Sequence, residues 1–226
     1  MADKRAADTE AGGESKKVKG SGETFVDFDV SQVFEEGEEG EGGELTDDTV
    51  KTVETGLGYT LPKAWIDLVR KTKQNGGNVV KKCCATSSAT TWAANHVQIE
   101  DIMAIGQNLI DEQEDWIGEW EYPKIGVYFG NCPSAGHDMI ALDYRECGPT
   151  GEPSVVHVDQ ESDYKITKLA ENFEEFIRKL QPEEDFEEEG GEGGDEEGDE
   201  GGDDEGAEGG DEGGDEDGEG GEGEEE

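Results

Sequence analysis

His137 and Asp138 are adjacent, with Asp143 a short way on, and three titratable groups so close together invite an acid–base or metal-binding reading. General acid–base chemistry needs a partner in hydrogen-bond reach and a pocket around it, neither of which a linear spacing supplies. The competing reading has Asp138, after Gly136 and His137, pinning the turn that leads into the next strand. That reading is preferred, so no catalytic residue is assigned. His96, His137 and His157 together with Cys83, Cys84, Cys132 and Cys147 raise the question of zinc. None of them shows the Cys-x₂₋₄-Cys or His-x₃₋₅-His spacing of structural zinc sites, so neither a metal ligand nor a cofactor is expected. Cys132 lies beside Pro133, and Cys147 beside Gly148-Pro149. No cationic cluster adjoins either one to lower a thiol pKa. The chain carries no Gly-x-x-x-x-Gly-Lys-Ser/Thr loop and no dinucleotide fingerprint, so phosphate binding is not expected.

The segment Glu114-Asp115-Trp116-Ile117-Gly118-Glu119-Trp120-Glu121-Tyr122 points to a different chemistry. Aromatic side chains make rigid interface anchors, and carboxylates between them select basic partners. Trp116, Glu119, Trp120 and Tyr122, with His137 and Asp138, are therefore the candidate partner-binding residues. The alternative is that Trp120 and Tyr122 belong to the core and the acids are simply solvated around them. Both readings stay open from sequence alone.

These residues must be positioned by the elements around them. Ile125–Phe129, Met139–Tyr144 and Ser154–Val158 are short apolar runs separated by Pro133-Ser134-Gly136 and Gly148-Pro149-Thr150-Gly151, the pattern of an antiparallel meander. After Asp163 the period changes. Leu169, Phe173, Phe176, Ile177 and Leu180 then share one face of an amphipathic helix. Upstream, Thr46 or Asp47 caps a short helix that Gly56 and Gly58 end. Pro62 opens a second helix, which buries Trp65, Leu68 and Val69 and stops at Asn75-Gly76-Gly77. Val79-Val80 begins the sheet, residues 81–95 read as a loop or ragged strands, and Leu109–Gly118 reads as a short helix. The fold class is α+β, a mostly antiparallel sheet packed by N-terminal helices and a C-terminal amphipathic helix.

Glu119-Trp120-Glu121-Tyr122-Pro123, then PSAGHD, ALDYR, GEPSVVHVDQE and LAENFEEFI, together with Gly58-Tyr59-Thr60-Leu61-Pro62 and Asn75-Gly76-Gly77 upstream, resemble the SUKH superfamily. The branch concerned holds a yeast cell-wall synthesis regulator and many bacterial toxin-immunity proteins. The resemblance covers Leu45 to Leu180 and leaves out both ends. It implies a small α+β domain that binds proteins and has no established catalytic chemistry.

The formal charge of −43 is unevenly spread. From Gln181 onward there is no Lys or Arg, and 26 of the 46 residues are Asp or Glu. Residues 1–44 hold five basic against thirteen acidic groups, which leaves −9 on the middle segment. The ends are too poor in apolar groups to offset backbone ordering, so residues 1–44 and 182–226 are expected to be disordered arms around a domain at 45–181. One stretch stands apart. Phe25–Phe34 interleaves Phe25, Phe28 and Phe34 with acids, and is either a docking segment folding back on the domain or a less polar piece of linker. Lys4-Arg5 and Lys16-Lys17-Val18-Lys19 have the spacing of a bipartite nuclear import signal, with scattered solubilising lysines as the alternative. With no apolar h-region at the N-terminus and no apolar run long enough for a span, the expected location is the nucleus or cytoplasm. The acidic balance disfavours direct nucleic-acid contact. It suits a basic protein partner, for which the tail is either a salt-sensitive polyanionic tether or only a solvating spacer. The sequence thus reads as a non-catalytic protein-binding module, with an immunity-type protein that neutralises a toxin, or a cell-wall regulator, as alternatives.

Overall fold

The computed structural model describes residues 22–35 and 43–186, so the import-signal lysines and the tail beyond Phe186 lie outside the described residues. The central apolar runs each form a strand. β5 (Gly126–Asn131), β6 (Asp138–Asp143), β7 (Ser154–Asp159) and β8 (Lys165–Ala170) pair antiparallel in chain order. Two-residue strands β1 (Gly77–Asn78) and β4 (Asp101–Ile102) extend this sheet, in the order β1-β4-β5-β6-β7-β8. A second sheet joins β2 (Cys83–Ala85), β3 (His96–Gln98) and β9 (Leu180–Gln181) in the order β3-β2-β9. With helices α1 (Asp47–Leu57), α2 (Lys63–Thr72), α3 (Gln107–Gly118) and α4 (Phe173–Lys179), the described residues form one α+β domain.

The helix ends follow local chemistry. The Thr46 hydroxyl accepts from the Thr49 N–H at the start of α1, and Gly58, at φ 75°, closes it by donating to the Glu54 carbonyl. Pro62 directly precedes α2, and Lys73 takes the left-handed position after its last turn. Trp65, Leu68 and Val69 are buried, as the spacing requires. The Trp65 ring packs on Phe129 of β5 (5.3 Å between centroids) and on Phe173 of α4 (5.7 Å). The next residue back along β5, Tyr128, instead packs on Tyr122 at 5.2 Å, so both sides of the strand are covered. The register slips between Tyr128 and Gly130. There a side chain stands in for the ladder: the Gln113 amide accepts from Tyr128 N–H at 2.8 Å and donates to its carbonyl at 2.9 Å. That exchange pins α3 to the sheet and leaves both buried backbone groups satisfied.

Three expectations need correcting. The apolar residues after Asp163 do not share one helix. Leu169 lies on β8 and Leu180 on β9, and only Phe173–Lys179 is helical. The local signal that decides this is Asn172-x-x-Glu175, in which the Asn172 side chain accepts from Glu175 N–H and so fixes the helix start. The residues before it take the strand that β7 needs as a partner. Second, of the two readings of Phe25–Phe34, the fold-back is the one observed, so the packed region reaches well before Leu45. Phe25, Val33 and Phe34 are buried, Phe34 bridges Val79, and the Arg178 guanidinium lies 5.0 Å from the Phe28 ring centre while donating to the Val26 carbonyl. Third, packing continues past Gln181, since Phe186 lies against the His96 ring at 4.6 Å.

All four cysteines are free. Burial pushes the thiols of Cys83 and Cys84 up to about 11, so both stay protonated at neutral pH. Among the described residues, no helix is long and apolar enough to cross a membrane.

Candidate functional site

The turn between β5 and β6, residues 132–137, is the meeting point of most candidate residues. Gly136, at φ 92°, lies under the Trp116 and Trp120 rings, where a Cβ would sit 3.1 Å from Trp116. The absence of a side chain there lets both indoles close over the turn. Trp116 and Trp120 stand 5.7 Å apart, and the Trp120 ring meets His137 edge-on at 5.9 Å. Trp92, which is 48% exposed, also lies against His137, 6.5 Å away. The loop that carries Trp92 is held down by Thr91, whose N–H donates to Asp159 and whose hydroxyl meets Ser162 at 2.7 Å. Trp92, His137, Trp120 and Trp116 thus form one continuous aromatic row. Carboxylates edge it: Glu161 lies 2.9 Å from His137 Nδ1, and Glu119 and Glu121 are exposed beside Trp120.

Two of the six sequence candidates, Tyr122 and Asp138, are buried and lie outside this row. Tyr122 is buried, donates to the Gly136 carbonyl at 2.8 Å and packs on Tyr164. Burial, reinforced by Asp138 and Cys132, pushes its phenol far up, so it stays protonated. Tyr164 in turn donates to the Trp120 carbonyl at 2.6 Å. Asp138 is also buried, but it pins no turn with its carboxylate. That carboxylate meets His157 Nε2 at 2.7 Å, and Cys132 lies close enough for all three residues to offer ligand atoms within 4.8 Å of one another. His137 and Asp138, neighbours in sequence, therefore face different surroundings. No acid–base pair forms between them. Burial first and the Asp138 carboxylate second hold the Cys132 thiol well above the ordinary range.

Asp143, the third group of the opening constellation, is engaged elsewhere, in a fork with Arg145 whose closest contact is 2.6 Å. Burial pushes this carboxyl up, but the Arg145 guanidinium and backbone N–H outweigh it and leave the group below the usual carboxylate range. A lowered folded-state pKa means stability that is present above the unfolded value and lost as pH falls through the folded one. The urea midpoint is therefore expected to fall as pH drops below about 4, the ordinary aspartate value. Asp143→Asn should flatten part of that fall while lowering the midpoint at pH 7. An unchanged acid slope in Asp143→Asn would show that the fork contributes nothing.

Sequence reasoning missed Trp92, and it weighed Cys132 and His157 for zinc but set them aside on spacing without joining them to Asp138. Trp92 sat in a stretch of small polar residues that no periodicity distinguishes. The cluster is assembled by strand pairing across 25 residues of sequence, and no spacing rule reaches that far.

A family model described as SMI1-KNR4 cell-wall matches residues 47–177. Searches of curated proteins and of solved structures returned no match. The matched region spans more than half of the chain and runs from α1 into α4, so the chain belongs to the SMI1-KNR4 family of the SUKH superfamily, a membership that supports an immunity-type or cell-wall-regulator role in general terms.

Proposed function

We propose that the domain is a non-catalytic protein-binding module whose contact face is the aromatic row Trp92–His137–Trp120–Trp116 with its acidic edge. The observation that carries this reading is that row itself: indoles from a loop and a helix end converge on one turn, with the most exposed Trp at its rim. Partly exposed Trp side chains flanked by carboxylates offer flat apolar area and cation–π contact to Lys or Arg. The favoured partner is a basic protein segment. In an immunity-type role that partner is a toxin domain, and in a regulatory role it is a host protein; the acidic edge suits both. The acidic tail adds a salt-sensitive tether for the same partner, and the basic clusters of the N-terminal arm would place the chain in the nucleus as well as the cytoplasm.

The test compares the full-length chain with one truncated after Glu188, which keeps β9 and Phe186. Both are titrated with Lys/Arg-rich peptides at low and moderate salt. Binding by the truncated chain should survive moderate salt, and Trp92→Ala with Trp120→Ala should weaken it at least about tenfold with unchanged circular dichroism. Equal binding by the folded double variant would remove the row from the interface. Binding that vanishes with the tail would assign it to the tail alone.

A further inference from the structure

We infer that Cys132, Asp138 and His157 form a buried binding site for a soft divalent cation, of which zinc is the best fit. The three side chains arrive from separate places: Cys132 directly after β5, Asp138 at the start of β6, and His157 within β7. Their potential ligand atoms lie within 4.8 Å of one another, and all three residues are buried. A metal with bonds of about 2.0 Å to nitrogen and oxygen and about 2.3 Å to sulfur draws such atoms together with small side-chain movements. Thiolate, imidazole and carboxylate together are a zinc donor set, whereas calcium and magnesium take oxygen alone.

The second observation is polar capacity left unused. The Asp138 carboxylate meets His157 Nε2 through one oxygen and lies beside the Cys132 thiol, yet Asp138 Oδ1 and His157 Nδ1, both buried, have no partner in hydrogen-bond geometry. Buried polar groups are almost always paired, so two orphans in one contact point to something that binds there. Charge argues the same way. Asp159, a second carboxylate, stands across the strand pair from Asp138. Binding of a divalent ion would release the Cys132 proton to solvent and use the unprotonated nitrogen of a neutral His157 imidazole, so that one thiolate and one carboxylate balance the +2 charge. The ion would thereby take up buried polar capacity that is otherwise unpaired. Because all three side chains are buried, the ion would enter as the chain folds, and it would tie β5, β6 and β7 together beside the turn that carries His137.

The experiment uses the full-length chain, purified, stripped with chelator and titrated with Zn²⁺ against a colorimetric competitor, with Co²⁺ as a spectroscopic substitute. The expected result is one Zn²⁺ per chain surviving gel filtration, a thiolate-to-cobalt charge-transfer band, and a melting temperature that falls when chelator is added. Cys132→Ser should abolish the band and weaken Zn²⁺ at least about 100-fold. The acidic tail can hold metal only through carboxylates and gives no thiolate band, so tail binding is told apart. Wild-type chain with no thiolate band, or Zn²⁺ held equally by folded Cys132→Ser, overturns the proposal. Should Cys132→Ser fail to fold, the near-isosteric Asp138→Asn and the wild-type cobalt spectrum decide it.

Discussion

Phe173→Asp is expected to leave the chain unfolded in buffer at 25 °C. Phe173 is fully buried and packs on Trp65, Phe129 and Phe176, so it joins α2, α4 and the sheet at one point. Emptying such a site costs about 3–5 kcal/mol in Phe→Ala changes. Aspartate adds a carboxyl with no partner in an apolar interior, worth several kcal/mol more. The sum reaches the whole stability of an ordinary domain, about 5–15 kcal/mol. Near-ultraviolet circular dichroism should lose its aromatic signal, and no cooperative thermal transition should remain. Phe173→Leu keeps the site apolar and should cost only about 1–3 kcal/mol, leaving a melt at lower temperature. A Phe173→Asp chain that melts like the parent would mean that the α2–α4 contact is not what holds the helices to the sheet.

The contrast between Phe173 and Leu169 shows where the sequence was legible. Both fit a helical period, and the period alone cannot tell a seven-residue helix from a strand running into it. Lys165–Ala170 becomes β8 because β7 offers it a long-range partner, a fact no local window contains. The three runs from Ile125 to Val158 were legible because Gly and Pro punctuate them and every strand neighbour is also the next in sequence. β1, β2, β4 and β9 hold two or three residues each, too few to show alternation.

The candidate site divides in the same way. Trp116, Glu119 and Trp120 were legible from the interleaving of aromatics and acids, and His137 from its place in a turn motif. Tyr122 and Asp138 came with them by adjacency, yet a tyrosine that donates to Gly136 and an aspartate that meets His157 do their work inside. Trp92 and His157 reach their places through loop pinning and strand register. Those are tertiary facts, and a reading by motif passes over them.

Gly126→Ala is expected to be nearly as damaging as Phe173→Asp, although it adds a single methyl group. β5 starts so close to β6 that a Cβ on Gly126 would lie 1.9 Å from the Leu142 carbonyl oxygen and 2.7 Å from a Tyr144 ring carbon. The first contact is with backbone, which cannot rotate aside. To relieve it the strands must separate where Tyr144 N–H donates to the Ile125 carbonyl and where Gly126 pairs with Asp143. A loss of about 3 kcal/mol or more follows, since a clash with backbone at the start of β5 must be relieved by breaking ladder hydrogen bonds and shifting a packed Tyr. Gly118→Ala is the control: it lies at the end of α3 with nothing within 4 Å of its added Cβ, and a helical Ala there should be neutral or slightly stabilising. Urea denaturation of the two variants separates the cases, and equal midpoints would mean that β5 and β6 are not held as closely as the pairing requires. The same β5–β6 hairpin carries Cys132 and His137 in its turn. Gly126→Ala should therefore lose peptide binding and zinc retention together, whereas Trp92→Ala with Trp120→Ala should lose only the first and Cys132→Ser chiefly the second.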